Sequence, residues 1–202
     1  MGMQLLTSPA SPYARKVRAC LIETGQEDMV ELVDVVTSPI NSAPEVTAAH
    51  AVKKIPALIR PDGCTLYDSR VITRFLDAQS GGALYPDTHI WETLTLEATG
   101  DAIMDSAVLM VYEGKCRPDD KQDHSWVEAQ WGKVENALDA LQDRWMSHLA
   151  GPIDAGQIAV GCALGYLDFR HDERAWRKGR GVLDDWFAAF SQRPSLIATT
   201  PR

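Results

Sequence analysis

The residue best placed to do chemistry in this chain is a serine at the head of a helical pattern. Ser11 lies in Ser11-Pro12-Tyr13-Ala14, which follows a short apolar run from Met3 to Leu6. The first N–H groups of a helix point outward unpaired, so they stabilise an anion there, whether carboxylate, phosphate or thiolate. A cysteine thiol at such a point has its pKa lowered from about 8.5 to roughly 3.5–7.5. The same field acts on a thiol bound from outside, to whose sulfur the Ser11 hydroxyl can donate. Ser11 and Ala14 also fill both positions where a redox pair would carry cysteine. A serine before proline is equally an ordinary N-cap, and this stretch by itself leaves both roles open.

Two further places can carry recognition. Ile55-Pro56 precedes a β-like run. A proline there is a plain turn residue, an edge feature, or a cis bond that exposes the backbone N–H and C=O of Ile55 to a peptide-like ligand. Asp68-Ser69 opens the next helical pattern. That pair offers a carboxylate to an ammonium, and a hydroxyl with an N–H to a carboxylate, which fits the α-amino-acid end of a ligand; a simple capping pair reads the same way. The five histidines (His50, His89, His124, His148, His171) have no metal-ligand spacing, and His124, with Glu128, is alone in having an acid at i+4. The chain has no Gly-rich phosphate loop and no Gly-x-Ser-x-Gly elbow.

Charge and cysteine use narrow the class. A formal charge of −8 argues against a nucleic-acid surface, which needs clustered cations. Arg15, Lys16 and Arg18 are the nearest thing to a patch and read as the solvated face of a helix. Cys20, Cys64, Cys116 and Cys162 are dispersed, with no Cys-x-x-Cys pair, so neither a zinc knuckle nor a dithiol motif is expected, and no metal. Free, scattered cysteines suit a reducing compartment. No signal peptide and no membrane-length apolar stretch is read, so a cytoplasmic protein is expected.

These candidates must be held by elements that the pattern supplies. Residues 3–7 read as a strand, Ala14 to Gly25 as a helix, and Val30 to Val36 as a buried strand. Pro39 to Val52 holds turn residues and a weak helix. Ala57 to Arg60, Pro-Asp-Gly and Cys64 to Tyr67 form a hairpin signal. Asp68 or Ser69 then caps an amphipathic helix with Val71, Ile72, Phe75 and Leu76 on one stripe. The order is βαβαββα over residues 1–80, an α/β unit. A linker follows at 81–89, and residues 90–202 read as all-helical: Ile90 to Lys115, Trp126 to His148, Ile158 to Phe169, and an amphipathic helix through Val182, Leu183, Trp186, Phe187 and Phe190. Asp154-Ala-Gly-Gln157 has the form of a capping box, and the helix it opens is apolar nearly all round, so it is expected at the centre. The six tryptophans read mostly as packing.

Taken in order, Ser11-Pro-Tyr-Ala at a strand–helix turn, Lys54-Ile55-Pro56-Ala57-Leu58 before a strand, and Asp68-Ser69-Arg70 opening a helix resemble the glutathione S-transferase superfamily. The likeness spans the chain and includes the capping box. It looks closest to bacterial members of unassigned class whose first helix begins Ser-Pro-Phe/Tyr-x-Arg-Lys. The resemblance implies a thioredoxin-like N-terminal domain, an all-α C-terminal bundle, glutathione as co-substrate, a detoxifying transferase activity and a homodimer. It places Ser11 at the serine that activates glutathione in theta-like and zeta-like enzymes, and at the cysteine of omega-like ones. Ile55-Pro56 matches the cis-proline turn that clasps the cysteinyl part. Asp68 and Ser69 match the pair that holds the γ-glutamyl end, with Arg70 beside them. Lys54, or else Lys53, matches the residue meeting the far carboxylate. Asp101 fits an aspartate that in some dimeric members reaches the neighbouring subunit's glutathione. Met104, Val108 and Tyr112 are expected to line the pocket for a small hydrophobic electrophile.

The departures are Thr7-Ser8 where several animal classes carry tyrosine, His50-Ala51 where Asn-Pro is common, and Gln157 where the capping box usually ends in an acid. Two other functions stay open: a non-catalytic binding or regulatory protein of this fold, and a glutathione-dependent reductase, which wants a thiol at position 11.

Overall fold

The computed structural model describes residues 2–202. Strand β1 (Met3–Thr7) leads into helix α1 (Pro12–Glu23), β2 (Val30–Asp34), α2 (Pro44–Ala49), β3 (Ala57–Ile59), β4 (Thr65–Leu66) and α3 (Ser69–Ser80). The sheet order is β2-β1-β3-β4, with β1 and β2 parallel, and with β3 antiparallel to both β1 and β4. This is a thioredoxin-like domain. A predominantly helical domain follows: α4 (Ile90–Cys116), α5 (His124–Ala140), α6 (Met146–Leu149), α7 (Ala155–His171), α8 (Gly181–Phe190) and α9 (Pro194–Ala198).

The expected elements form, with corrections: the helix expected over Trp126 to His148 is interrupted by a π-helical turn at Leu141–Trp145, which separates α5 from α6. Strand β2 was read as buried, but as an edge strand with only β1 beside it, it covers Val30 and leaves Leu32 47% exposed. On α3, Ile72 and Leu76 are fully buried and Val71 turns outward at 46%. Trp91 is 75% exposed and packs nothing. The largest correction concerns α1. Arg15 and Lys16 do not decorate a solvated face: they are 5% and 1% exposed. Helix α1 is enclosed by α3, α7 and α9, so little solvated face remains for them. Arg15 Nη2 donates to the Leu196 carbonyl at 3.0 Å and Nε to Thr199 Oγ1 at 3.5 Å, which docks the unforeseen α9.

The segment 81–89 is tied down. Leu84 and Tyr85 are buried, the Leu84 N–H donates to Asp77 Oδ1 at 2.7 Å, and the Leu84 carbonyl accepts from Ala155 at 2.9 Å.

Helix α7 is the central one. Its residues Ala155 to Leu167 are all buried, and its main partner is α4. Small residues allow that approach: a Cβ built on Gly100 would lie 2.7 Å from the Ala159 carbonyl carbon and 2.9 Å from the Val160 nitrogen. Backbone cannot yield as a side-chain tip can. Gly100→Ala is therefore expected to destabilise the protein by about 1–3 kcal/mol, the usual cost of overpacking, read as a lowered midpoint in thermal unfolding.

Candidate glutathione site

Sheet register brings the three candidate segments to one end of the sheet. Strands β1 and β4 both run against β3, so both finish where β3 begins; Leu6 faces Ala57, and Leu58 faces Leu66. Beyond β1 the chain turns into Ser11 and α1. Ahead of β3 lies the Lys53–Pro56 loop, and beyond β4 come Tyr67, Asp68 and α3. The starts of α1 and α3 are thus neighbours, as two connected strands on either side of a third must make them.

Ser11 is the N-cap of α1, and its Oγ accepts the Ala14 N–H at 3.2 Å. One lone pair is used, while no described residue accepts the hydroxyl proton. The first turn of α1 carries no acidic side chain, so its partial positive charge is not met from within the helix. The Ile55–Pro56 peptide is cis, which selects among the alternatives that the proline left open. No backbone hydrogen bond outside the regular elements engages Ile55. Lys53 and Lys54 are exposed beside it.

Asp68, not Ser69, caps α3. Its Oδ1 accepts the Arg70 N–H at 3.1 Å and its Oδ2 accepts from the Arg70 guanidinium at 3.0 Å. Partial burial pushes the Asp68 carboxyl up, but the two Arg70 contacts outweigh it and hold the group below the ordinary carboxylate range. Ser69 is buried beneath this pair, and a cleft of about 590 Å³ opens beside it, lined by Tyr67, Asp68, Arg70, Val71, Arg74, Leu94 and Glu97.

Helix α4 forms the facing wall. Asp101 turns inward to Lys16, and its Oδ2 lies 3.7 Å from Arg70 Nε. Burial raises the Asp101 carboxyl above its ordinary range even against Lys16. One turn on, Asp105 accepts the Tyr13 hydroxyl at 2.5 Å, and burial followed by that bond pushes the Tyr13 phenol up. Tyr13 is thereby held as a neutral donor to α4. Met104 is fully buried in the core and Val108 is 9% exposed, whereas Leu109 and Tyr112 reach solvent at 42% and 39%.

The sequence matches two family models, "Glutathione S-transferase, N-terminal domain" over residues 10–79 and "Glutathione S-transferase, C-terminal domain" over residues 125–189. A crystal structure of a glutathione transferase family member from Pseudomonas fluorescens Pf-5, with bound glutathione, is 42% identical, with a TM-score of 0.97 over 99% of both chains. This chain belongs to the glutathione S-transferase family. A second Pseudomonas fluorescens Pf-5 structure of a family member, with bound S-(propanoic acid)-glutathione, is also 42% identical and has a TM-score of 0.92, covering 99% of this chain and 100% of that one. The Escherichia coli K12 protein named "Uncharacterized GST-like protein YibF" is 27% identical across 98% of each chain.

Three groups near the site carry no motif of their own. His50 sits where Asn-Pro is common. Its ring stacks on Tyr67 at 3.8 Å, and its Nδ1 accepts the Val52 N–H at 3.1 Å, bracing the Lys53–Pro56 loop against the approach to Asp68. Burial, then the Lys54 charge, lowers the His50 pKa, so the imidazole stays a neutral acceptor. Asp105 had no signal beyond falling four residues after Asp101, which puts both on one helical face. Lys16 was visible only as one of three clustered cations. No group of three or more metal-ligating side chains is assembled among the described residues, and no helix there is long and apolar enough to cross a membrane.

Proposed function

We propose that this chain is a glutathione transferase that binds glutathione at the common end of β1, β3 and β4 and presents its thiolate to a small electrophile. The observation that carries this is the convergence of Ser11 and Asp68, at adjacent helix starts, with Ile55 at the head of the strand between them: the Ser11 hydroxyl proton has no acceptor among the described residues, no backbone hydrogen bond outside the regular elements engages Ile55, and Arg70 holds the Asp68 carboxylate. The Ile55 backbone suits the peptide unit of the cysteinyl part, Asp68 with Ser69 and Arg70 suits the amino-acid end, and exposed Lys54 suits the far carboxylate. Asp101 joins this site through Arg70. The sulfur then lies by Ser11, whose free hydroxyl proton and the α1 amides favour thiolate over thiol. The thiol proton leaves to solvent, and the sulfur lone pair forms the new bond to carbon as the electrophile's leaving group departs or its double bond takes up the electrons.

The second substrate meets the α4 face at Val108 and Tyr112, over Met104. A relative with bound S-(propanoic acid)-glutathione supports a pocket that tolerates a substituted sulfur. Cys20 argues against the reductase reading: it is buried within α1, and burial pushes its thiol up, away from the reactive thiolate. We further propose a cytoplasmic homodimer in which the exposed Trp91, and Val71 at the cleft, are covered by a second copy.

The test is retention on immobilised glutathione, a thermal shift with free glutathione, and turnover with a panel of halogenated and unsaturated electrophiles. Binding with turnover is expected. Binding without turnover assigns the non-catalytic module, and no binding overturns the site.

A further inference from the structure

Lys16 is a fully buried cation a little over one turn beyond Ser11. Its ammonium donates to Asp101 Oδ1 at 2.7 Å, Asp101 Oδ2 at 3.0 Å and Glu97 Oε1 at 3.1 Å. Side-chain exposure is 1% for Lys16, 1% for Glu97 and 12% for Asp101. Lysine is almost never buried this completely unless paired, and here two carboxylates meet one ammonium, so the cluster keeps a negative excess. Glu97 Oε1 is also held by the Tyr85 hydroxyl at 3.0 Å, from the segment that joins the two domains. Glu97 Oε2 has no hydrogen-bond partner, and Asp101 is the carboxylate that reaches toward Arg70. Its Oδ2 faces Arg70 Nε at 3.7 Å, too long for a hydrogen bond, while Arg70 Nη2 holds Asp68 Oδ2 at 3.0 Å. Arg70 therefore stands between two acids, and it is the one without a competing cation, Asp68, that it grips.

We propose that Lys16 is a positioning residue for the γ-glutamyl end of glutathione: by occupying Asp101 it leaves Arg70 to Asp68 and keeps that carboxylate aimed at the ligand's ammonium. The inference rests on the glutathione reading above. Remove Lys16, and Asp101 becomes a poorly solvated carboxylate whose nearest cation is Arg70; the guanidinium closes on it and Asp68 loses its orientation. A purely structural role, gluing α1 to α4, would loosen the whole site without regard to which part of the ligand is bound.

The experiment separates the two on the full chain. Glutathione and cysteinylglycine, which lacks the γ-glutamyl group, are titrated calorimetrically into wild type, Lys16→Met and Lys16→Met/Glu97→Gln. The double variant removes one charge of each sign and so keeps the cluster's net charge; it decides the matter if the single variant does not fold. The expected result is a roughly tenfold weaker Kd for glutathione, the scale of one charge-assisted hydrogen bond, with cysteinylglycine unchanged. Equal weakening of both ligands, undiminished glutathione binding, or failure of the charge-matched variant to fold would overturn the role of Lys16 while leaving the site intact. A wild-type chain that does not bind glutathione sinks both readings.

Discussion

Ser11→Ala is expected to lower glutathione-conjugating turnover by on the order of 10²–10³ or somewhat less, the usual consequence of removing one preorganised donor to an anion. The hydroxyl is committed as an acceptor to Ala14 at 3.2 Å, and on the proposed reading its proton goes to the sulfur. Alanine removes that donor and leaves the α1 amides, which is why part of the thiolate stabilisation survives. Affinity for glutathione is expected to change little, because on the proposed reading Ile55, Asp68 and Lys54 hold the rest of the tripeptide. The loss should therefore fall on kcat, with a bound thiol that ionises at higher pH. Losing an N-cap also destabilises a helix by about 1 kcal/mol, so the assay belongs well below the unfolding midpoint. Turnover equal to wild type would remove Ser11 from the mechanism; Ser11→Thr, which keeps the hydroxyl, should retain most of the rate.

The second large effect concerns stability. Asp154 is 1% exposed and accepts three hydrogen bonds: the Gln157 N–H at 2.9 Å, Thr93 Oγ1 at 2.7 Å and His148 Nε2 at 2.6 Å. Its own N–H donates to Gln157 Oε1 at 3.2 Å, which completes the capping box of α7. The carboxylate thus joins α4, α6 and α7 at a buried point. Asp154→Ala strands the Thr93 hydroxyl and the His148 imidazole as well as the first-turn amide. A cost of about 3 kcal/mol is expected, the scale of breaking a buried polar pair. For a chain of this size that lowers the melting temperature by roughly 6–12 °C. Asp154→Asn keeps an N-cap acceptor and should lose less. A Gln157→Ala variant loses the return bond of the box and the donations of Nε2 to the His148 and Leu149 carbonyls, and is expected to cost about 2 kcal/mol. Thermal unfolding of the three variants checks the order; an Asp154→Ala protein as stable as wild type would mean that the pocket rehydrates.

Local physics made much of this legible in advance. Hairpin turn residues between β3 and β4, the caps at Ser11, Asp68 and Asp154, and the apolar α7 all act over a few residues, and each is where the spacing put it. The misreadings are alike in kind. Val30–Val36 carried the composition of a central strand, but the order β2-β1-β3-β4 puts it at the edge. Val71 shares the helical stripe of Ile72 and Phe75, yet the sheet covers less than the full stripe. His148 has no acid at i+4; the chain turns at Gly151-Pro152 and returns Asp154 to it instead.

What the sequence by itself determined is the chemistry on offer: a hydroxyl and no thiol at the head of α1, a proline before β3, an acid–serine pair heading α3, and two domains of different kind. Only the tertiary structure decided which charges matter. Arg15, Lys16 and Arg18 are adjacent cations of one helix, and their own stretch says nothing of what is laid over it. Helices from the far half of the chain bury Arg15 against Thr199 and Lys16 against Glu97 and Asp101. Burial strips those charges of water and makes their pairing specific, so the contact from Lys16 through Asp101 to Arg70 and Asp68 belongs to the packing of two domains and to no motif.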